Sequence, residues 1–143
     1  MIIPDANLLL YAYDQNSPFH QRAAAWWGHC MKGPESIGLC PVVIFAYLRL
    51  GTSPRLFNQP LTIDEAAKHI DSWLNESTTE WIEARRQDFE QSIQLLKNAG
   101  SAGSLTTDAQ IAAIAIRCRA TVHTADTDFQ RFPGVKWLNP LAS

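Results

Sequence analysis

Four aspartates lie at the ends of segments whose apolar patterns predict strands or helices. Asp5 ends an N-terminal apolar run, Asp108 opens a helical pattern near the other end, and Asp126 and Asp128 follow one more short apolar run. Acids that are distant in sequence can meet at one edge of an α/β sheet when each sits at an element end. Carboxylate oxygens suit hard divalent cations. The pattern therefore predicts a Mg²⁺ site, with Mn²⁺ as the alternative ion, held by Asp5, Asp108 and Asp126; Asp128 is an additional candidate.

Each acid taken alone has a structural explanation, which is of about equal weight to a functional one for Asp5 and Asp108 and is the more frequent role for Asp126 or Asp128. Asp108 would interact favourably with the helix dipole in a first helical turn, and Asp5 would form a side-chain turn after a strand. Asp126 and Asp128 are also common turn residues. Because all of them fall at one predicted sheet edge, a shared catalytic role is favoured over separate structural ones.

Short apolar runs alternate with helical patterns along the whole chain. Strands are predicted at residues 2–4, 37–40, 79–82, 121–124 and 135–138. Helices are predicted at residues 8–13, 20–31, 42–50, 62–75, 88–99 and 111–117. Strands separated by helices indicate a parallel sheet covered on both faces. The fold class is therefore α/β, a three-layer α/β/α domain spanning residues 1–143 with a central, mostly parallel sheet of four to five strands. The site is expected at the carboxyl ends of those strands.

Polar residues predict where several helices begin. Asn7 is a candidate cap for the first helix. Capping boxes, in which two side chains bond each other's backbone N–H, are predicted for Thr62 with Glu65 and for Thr107 with Gln110.

Composition limits the class of protein. At 143 residues and 46% hydrophobic, the chain can form one domain that buries roughly 68% of its unfolded surface. It has no apolar run of about 18 residues and no signal-peptide pattern, so we expect a cytoplasmic protein. Three cysteines without C-x-x-C spacing are expected to be buried reduced thiols. The net charge of −2 gives no argument for nucleic-acid binding, although a local basic rim is compatible with it.

Five segments carry a resemblance to a known family through their order and spacing: Pro4–Ala12, Leu48–Arg55, Pro60–Thr62, Thr107–Ala113 and Thr124–Gly134. Over nearly its full length the chain resembles the PIN-domain ribonucleases, in particular the VapC toxins of bacterial type II toxin–antitoxin modules. The resemblance implies a metal-dependent endoribonuclease with an RNA substrate. It also implies a homodimer and a VapB-like antitoxin that binds and silences it.

One position departs from the family pattern. Many such nucleases have a glutamate before the aromatic-Leu-Arg segment of the helix after the second strand, and this chain has Ala46 there. Alanine cannot bind a cation, and Glu35, which precedes the strand, is poorly placed to substitute. We therefore expect one firmly held ion and at most a weak second one.

Several further residues are candidates for supporting roles. Asn7 and Thr124 could orient the metal ligands, and Phe57 or Phe129 could stack on a base. Phosphate contacts could come from arginines, most of which we expect to be solvated surface residues: Arg49, Arg55, Arg117, Arg119 and Arg131. A group of aromatic residues is expected mostly in the core: Trp26, Trp27, Trp73, Tyr47 and Phe45.

An apolar groove for the antitoxin is expected along two early helical segments, 8–13 and 23–27, with segment 46–50 nearby. A partner helix could bury its apolar stripe there. A basic side chain of that partner could then compete with metal for Asp5 and Asp108.

Two other classes stay open. An inactive PIN-fold module could act through protein contacts alone, as Ala46 would allow. A phosphate-transfer α/β protein ranks third, because a phosphatase would have an acid where Asn7 stands, and Lys136 is the only lysine beyond Lys97.

Overall fold

A five-stranded sheet forms the centre of the molecule. The computed structural model describes residues 1–142. The strands are β1 (Ile2–Pro4), β2 (Ile37–Leu39), β3 (Thr79–Trp81), β4 (Thr121–His123) and β5 (Lys136–Leu138). Their order is β3-β2-β1-β4-β5 and every pair is parallel. The predicted sheet is confirmed, with five strands.

Six α-helices flank this sheet and complete the predicted three-layer α/β/α fold. They are α1 (Ala6–Tyr13), α2 (His20–Lys32), α3 (Pro41–Gly51), α4 (Ile63–Leu74), α5 (Arg86–Ala99) and α6 (Thr106–Cys118). There are two short 3₁₀ helices. Gly103–Leu105 precedes α6, and Thr127–Arg131 follows β4.

The strand order reverses direction in the middle of the sheet. From β1 the chain builds outward through β2 to β3, then returns to place β4 on the other side of β1. β1 and β4 pair in register, with Pro4 opposite His123. In open parallel sheets, ligands bind in the crevice at the carboxyl ends of the strands where the order reverses. This crevice lies between the carboxyl ends of β1 and β4.

The structure corrects two of the predicted helix starts. Asp5 caps α1, with Oδ1 accepting the backbone N–H of Ala6 at 2.8 Å, so Asn7 lies inside the helix. At α6 the first helical residue is Thr106 and the capping position is Leu105, without a side-chain bond, so Thr107 forms no capping box. The short Gly103–Leu105 helix leads directly into α6 and removes the need for that cap. The Thr62–Glu65 capping box is present as predicted.

The core combines aliphatic strand residues with a cluster of aromatic side chains. Ile3, Leu39 and Val122 have no exposed surface. Trp27, Trp73 and Tyr47 are buried as predicted, and Trp26 is partly buried. Phe45 was wrongly expected in the core, because its position on α3 leaves the ring 65% exposed.

A buried ion pair joins α5 to α6. The Arg117 guanidinium donates from Nε to both carboxylate oxygens of Asp88, at 2.8 and 3.1 Å, and from an NH group to the Glu83 carbonyl at 2.8 Å. Asp88 is 4% exposed. The guanidinium of Arg117 is therefore occupied by contacts within the protein, which argues against its predicted phosphate contact.

The cysteines are free thiols; Cys30 and Cys40 are buried, whereas Cys118 is only partly buried, contrary to expectation. Among residues 1–142, every helix is too short or too polar to cross a membrane.

Candidate metal centre

Three of the four aspartates approach one another closely. Asp108, Asp126 and Asp128 each offer a carboxylate oxygen, and these oxygens all lie within 4.8 Å of one another. Asp108 comes from the first turn of α6, while the other two come from the segment after β4. Three oxygens at this separation can coordinate a common cation, and the all-oxygen donor set fits a hard divalent ion.

The backbone after β4 fixes two of these acids. The Asp126 carboxylate accepts the backbone N–H of Asp128 at 2.8 Å and thereby caps the 3₁₀ helix Thr127–Arg131. This turn directs both side chains toward one group of oxygens. From the sequence, Asp128 was named as an additional candidate ligand, and the structure places its carboxylate with those of Asp108 and Asp126.

Asp5 stands beside this group rather than within it. Its carboxylate is 8% exposed, and both oxygens already accept hydrogen bonds, from the Ala6 N–H and from the Thr124 hydroxyl, each at 2.8 Å. Asp5 still contributes to the electrostatics of the group, because its charge raises the pKa of Asp108. Each oxygen keeps a second lone pair, so these hydrogen bonds leave Asp5 able to coordinate an ion.

Thr124 links β1 to the turn after β4. Its hydroxyl donates to Asp5 and accepts the backbone N–H of Asp126 at 2.9 Å. The side chain has no exposed surface. A buried hydroxyl with both partners satisfied holds two of the predicted acids in fixed positions, as the sequence suggested for Thr124. For Asn7, the side-chain oxygen is buried without a hydrogen-bond partner among residues 1–142.

The surroundings of Asp108 and Asp5 raise the pKa of both carboxyls. Burial raises the pKa of Asp108, and the charges of Asp5, Asp126 and Asp128 raise it further, to about 8. Burial also raises the pKa of Asp5, against the lowering effect of hydrogen bonds from Thr124 and Ala6. At neutral pH Asp108 therefore carries a proton that a bound divalent cation would displace.

Neither Ala46 nor Glu35 supplies the acid that is missing from the family pattern. Ala46 is buried on α3, and Glu35 lies outside the group of acidic oxygens. Glu35 instead lines a separate cavity with His29, Cys30 and His123.

The candidate RNA contacts divide by exposure. Arg49, Arg55, Arg119 and Arg131 are exposed, and Arg131 also donates to the Ala99 carbonyl at 3.1 Å. Phe129 is fully buried and cannot stack on a base.

The structure changes the border of the groove that was predicted for the antitoxin. Many residues of segments 8–13 and 23–27 are interior. A surface cavity of about 340 Å³ does lie along α1 and α2. It is completed by Ser72 and Trp73 of α4 and by Glu76 just after that helix, rather than by α3.

Comparisons with known proteins agree with this architecture. A family model of the PIN domain matches residues 2–135. Ribonuclease VapC33 of Mycobacterium tuberculosis is 41% identical over 141 residues, covering 99% of each chain. The solved structure of VapBC2 from Rickettsia felis, bound to a promoter DNA fragment, has a TM-score of 0.69 at 23% identity, covering 97% of this chain and 98% of that one. VapC20 of M. tuberculosis, a toxin that cleaves the Sarcin-Ricin loop, has a TM-score of 0.71 at 15% identity, covering 95% and 99%.

The chain therefore belongs to the PIN-domain family. Within that family its full-length similarity is to VapC ribonucleases, and the resemblance predicted from the sequence is confirmed.

Proposed function

We propose that this protein is a metal-dependent endoribonuclease, the toxin of a type II toxin–antitoxin pair, acting as a single PIN domain. The proposed ligands are Asp5, Asp108 and Asp126, with Mg²⁺ as the ion and Mn²⁺ as an alternative. The observation that carries the proposal is the convergence of carboxylates at the reversal point of the sheet, where burial and then the charges of Asp5, Asp126 and Asp128 raise the pKa of Asp108 to about 8. Such a cluster is unfavourable without a cation. The full-length similarity to a ribonuclease supports the same reaction.

Each residue of the site has a separable task. A divalent ion held there would lower the pKa of bound water and neutralise charge developing on the phosphate oxygens. Thr124 holds Asp5 by its hydroxyl and the Asp126 backbone by the same oxygen, which orients the ligands before metal or RNA binds. Asp128 has an oxygen within 4.8 Å of those of Asp108 and Asp126. It is a fourth ligand and takes the place of the glutamate that many family members have at the position of Ala46.

The test is cleavage of RNA with and without metal. We expect the chain to cut single-stranded RNA in Mg²⁺ or Mn²⁺ and to stop in EDTA, and we expect Asp126→Asn to lose activity by at least about 100-fold. Asp71→Asn, an exposed aspartate on α4, is the matched control and should retain activity. Equal cleavage by Asp126→Asn and Asp71→Asn would rule out the site.

A homodimer is supported by one face of the molecule. A groove of about 580 Å³ lies between α3 and α5, lined by small or apolar residues such as Val42, Ala84 and Leu96. Phe45 and Phe89 also line it and are 65% and 64% exposed. A protruding ring and a groove on the same face are self-complementary, as a twofold interface requires, and exposed apolar patches of this kind mark interaction sites.

Phe89→Glu should therefore convert the dimer to a monomer in size-exclusion chromatography with light scattering. Ile63→Glu, at a 63% exposed position on α4, is the matched control and should remain dimeric. If both variants behave alike, the α3–α5 face is not the interface.

The antitoxin is proposed to dock on the cavity along α1, α2 and α4. Its lining is largely apolar, with Ala12, Met31 and Trp73 among the residues that a partner helix could cover. A basic side chain reaching from that partner to the acidic site would satisfy the carboxylates in place of metal. Co-expression with the neighbouring gene should give a stable complex without ribonuclease activity. Full activity in that complex would contradict the proposed inhibition.

The alternative function is a PIN-fold module that acts through protein contacts with little or no catalysis. Ala46 favours it, because a buried alanine leaves the site one ligand short of the family pattern. Metal-independent complex formation together with no RNA cleavage in Mn²⁺ would select this alternative.

A further inference from the structure

A second polar cavity, separate from the acidic site, lies where α1 ends. Its volume is about 390 Å³, and residues from the end of α1, the α3–α4 loop and the start of α4 line it: Tyr13, Asp14, Gln15, Asn16, Phe57, Gln59 and Glu65. A neighbouring cavity shares Asp14, Asn16, Phe57 and Gln59 with it, so the two border the same loop residues. Resting on the proposed ribonuclease function, we infer that this cavity binds an unstacked base of single-stranded RNA and prefers bases with an exocyclic amino group.

Phe57 supplies an aromatic surface for the base. It is partly buried between exposed neighbours in the loop and borders both cavities. The other stacking candidate of the sequence, Phe129, is fully buried. Single-stranded RNA is commonly recognised by bases that stack on aromatic side chains and form hydrogen bonds through their edges.

Two carboxylates in the cavity give the preference for amino groups. Asp14 accepts the Asn16 N–H through Oδ1 at 3.0 Å, and Glu65 accepts the Thr62 N–H through Oε1 at 3.0 Å. In each case the other carboxylate oxygen has no bond of this kind among residues 1–142 and can only accept when ionised. Adenine, guanine and cytosine present amino donors, whereas uracil presents carbonyl acceptors at the corresponding positions. Gln59 can donate to such acceptors but would not by itself discriminate against amino groups.

The inner wall of the cavity is already fixed. The Tyr47 hydroxyl lies 2.7 Å from Nδ1 of His69, and the Trp73 indole N–H donates to the Tyr13 hydroxyl at 2.7 Å. The Tyr13 ring also stacks on His69 with centroids 4.0 Å apart. With these groups satisfied among themselves, binding requires little rearrangement of the wall, and the exposed loop residues make the contacts.

The position of the cavity suits an RNA bound at the acidic site. α1 begins after Asp5 and ends before Asp14, which at the helical rise separates them by roughly 13 Å. The turn after α1 also lies on the side of the carboxyl ends of the strands, because Arg22 in the first turn of α2 donates to the Leu141 carbonyl, just after β5, at 2.6 Å. An RNA with a phosphate at the aspartates can therefore place a nearby base in the cavity.

The charge of the lining favours a base over a phosphate. Among the described residues that border the cavity, two are acidic and none is lysine or arginine. The same charge would accept a guanidinium group from a protein partner, and the experiment must separate these two occupants.

The experiment measures binding of small probes in EDTA, so that no RNA cleavage is involved. The probes are AMP, GMP, CMP, UMP, ribose 5-phosphate and N-acetylarginine amide, followed through the ¹⁵N-labelled side-chain amide of Gln59 and the backbone amides of residues 14–16 and 57–59. We expect AMP, GMP and CMP to bind more tightly than UMP, and ribose 5-phosphate not to shift these signals.

Two variants test the assigned contacts. Phe57→Leu should weaken nucleotide binding at least about five-fold, and Asp14→Asn, which keeps the acceptor for the Asn16 N–H, should reduce the preference over UMP toward one. Phe19→Leu and Asp71→Asn replace exposed residues outside the cavity and should leave binding unchanged.

Three results would overturn the inference: shifts confined to other surfaces, equal binding by Phe57→Leu and the natural chain, or stronger binding of N-acetylarginine amide than of any nucleotide. None of these would affect metal-dependent cleavage, which the Asp126→Asn comparison tests. Conversely, if the Asp126→Asn comparison failed to support metal-dependent cleavage, the signal shifts caused by nucleotides in EDTA would still show that the cavity binds a base.

Discussion

Replacing Asp108 with asparagine removes a titrating group from the centre of the acidic site with almost no change in side-chain size. In the natural chain the pKa of this carboxyl is raised from 3.8 to about 8, first by burial and then by the charges of Asp5, Asp126 and Asp128. The folded protein thus keeps a proton over a pH range in which the unfolded chain has lost it. Metal-free stability must therefore fall as pH rises toward about 8 and level off above it.

The size of the effect follows from these two values. Between pH 7 and pH 9 the unfolded chain releases no further proton from Asp108, whereas the folded chain releases most of one. Linkage gives a loss of roughly 1 kcal/mol in the free energy of unfolding, once the partial exposure of Asp108 is allowed for. The Asp108→Asn variant lacks this proton and should not show this loss.

The assay is urea denaturation of both proteins in EDTA at pH 7 and pH 9, with Asp71→Asn as the control for a lost surface charge. A second series adds Mg²⁺ or Mn²⁺. An ion at about 100 times its dissociation constant should stabilise the natural chain by roughly 2.7 kcal/mol, and the variant far less. Parallel stability profiles from pH 7 to pH 9, together with equal stabilisation by metal, would refute the electrostatic account of the site.

Three further changes have expected outcomes. Thr124→Val should keep the fold but weaken Mn²⁺ binding about 10- to 100-fold in calorimetry, because both hydrogen bonds of the buried hydroxyl are lost; Thr124→Ser should restore it. Ala46→Glu should tighten Mn²⁺ binding if the geometry of α3 is preserved, whereas two equally tight ions in the natural chain would contradict a site lacking that acid. Arg117→Ala should cost about 3 kcal/mol in urea denaturation, since Asp88 is left buried and unpaired. Arg86→Ala, from a largely exposed ion pair, should cost less than about 1 kcal/mol, and similar losses for the two arginine variants would count against a structural role for Arg117.

Local signals in the sequence were sufficient for most of the fold. Alternating apolar runs and helical patterns predicted all five strands and six helices, because buried parallel strands and amphipathic helices have different periodicities. The Thr62–Glu65 capping box was predicted because both of its hydrogen bonds are made within one turn of helix. The predictions for Asn7 and Thr107 were wrong because neighbouring segments supplied what each cap would have provided: the Asp5 side chain at α1 and the preceding 3₁₀ helix at α6.

The roles of individual charged and aromatic side chains depended on contacts that sequence spacing does not encode. Arg117 was a candidate for phosphate binding, but the structure pairs its guanidinium with the buried Asp88 carboxylate, 29 positions away. Phe45 lies in an apolar run and Phe129 between polar residues, yet Phe45 is 65% exposed and Phe129 is fully buried. Which face of a helix meets the sheet is decided by how the helices pack together, not by any one helix.

The sequence by itself determined that acids would gather at the carboxyl ends of parallel strands, because the direction of each strand and the residue at its end are local properties. Only the tertiary structure decided how they gather. The pairing of β1 with β4 brings the Thr124 hydroxyl to Asp5 across 119 positions, while the turn after β4 brings Asp128 to Asp108 and Asp126. These distances depend on strand order and on the packing of α6. Burial and Coulomb repulsion, which together raise the pKa of Asp108, both depend on how the chain packs, so that pKa could be established only from the folded chain.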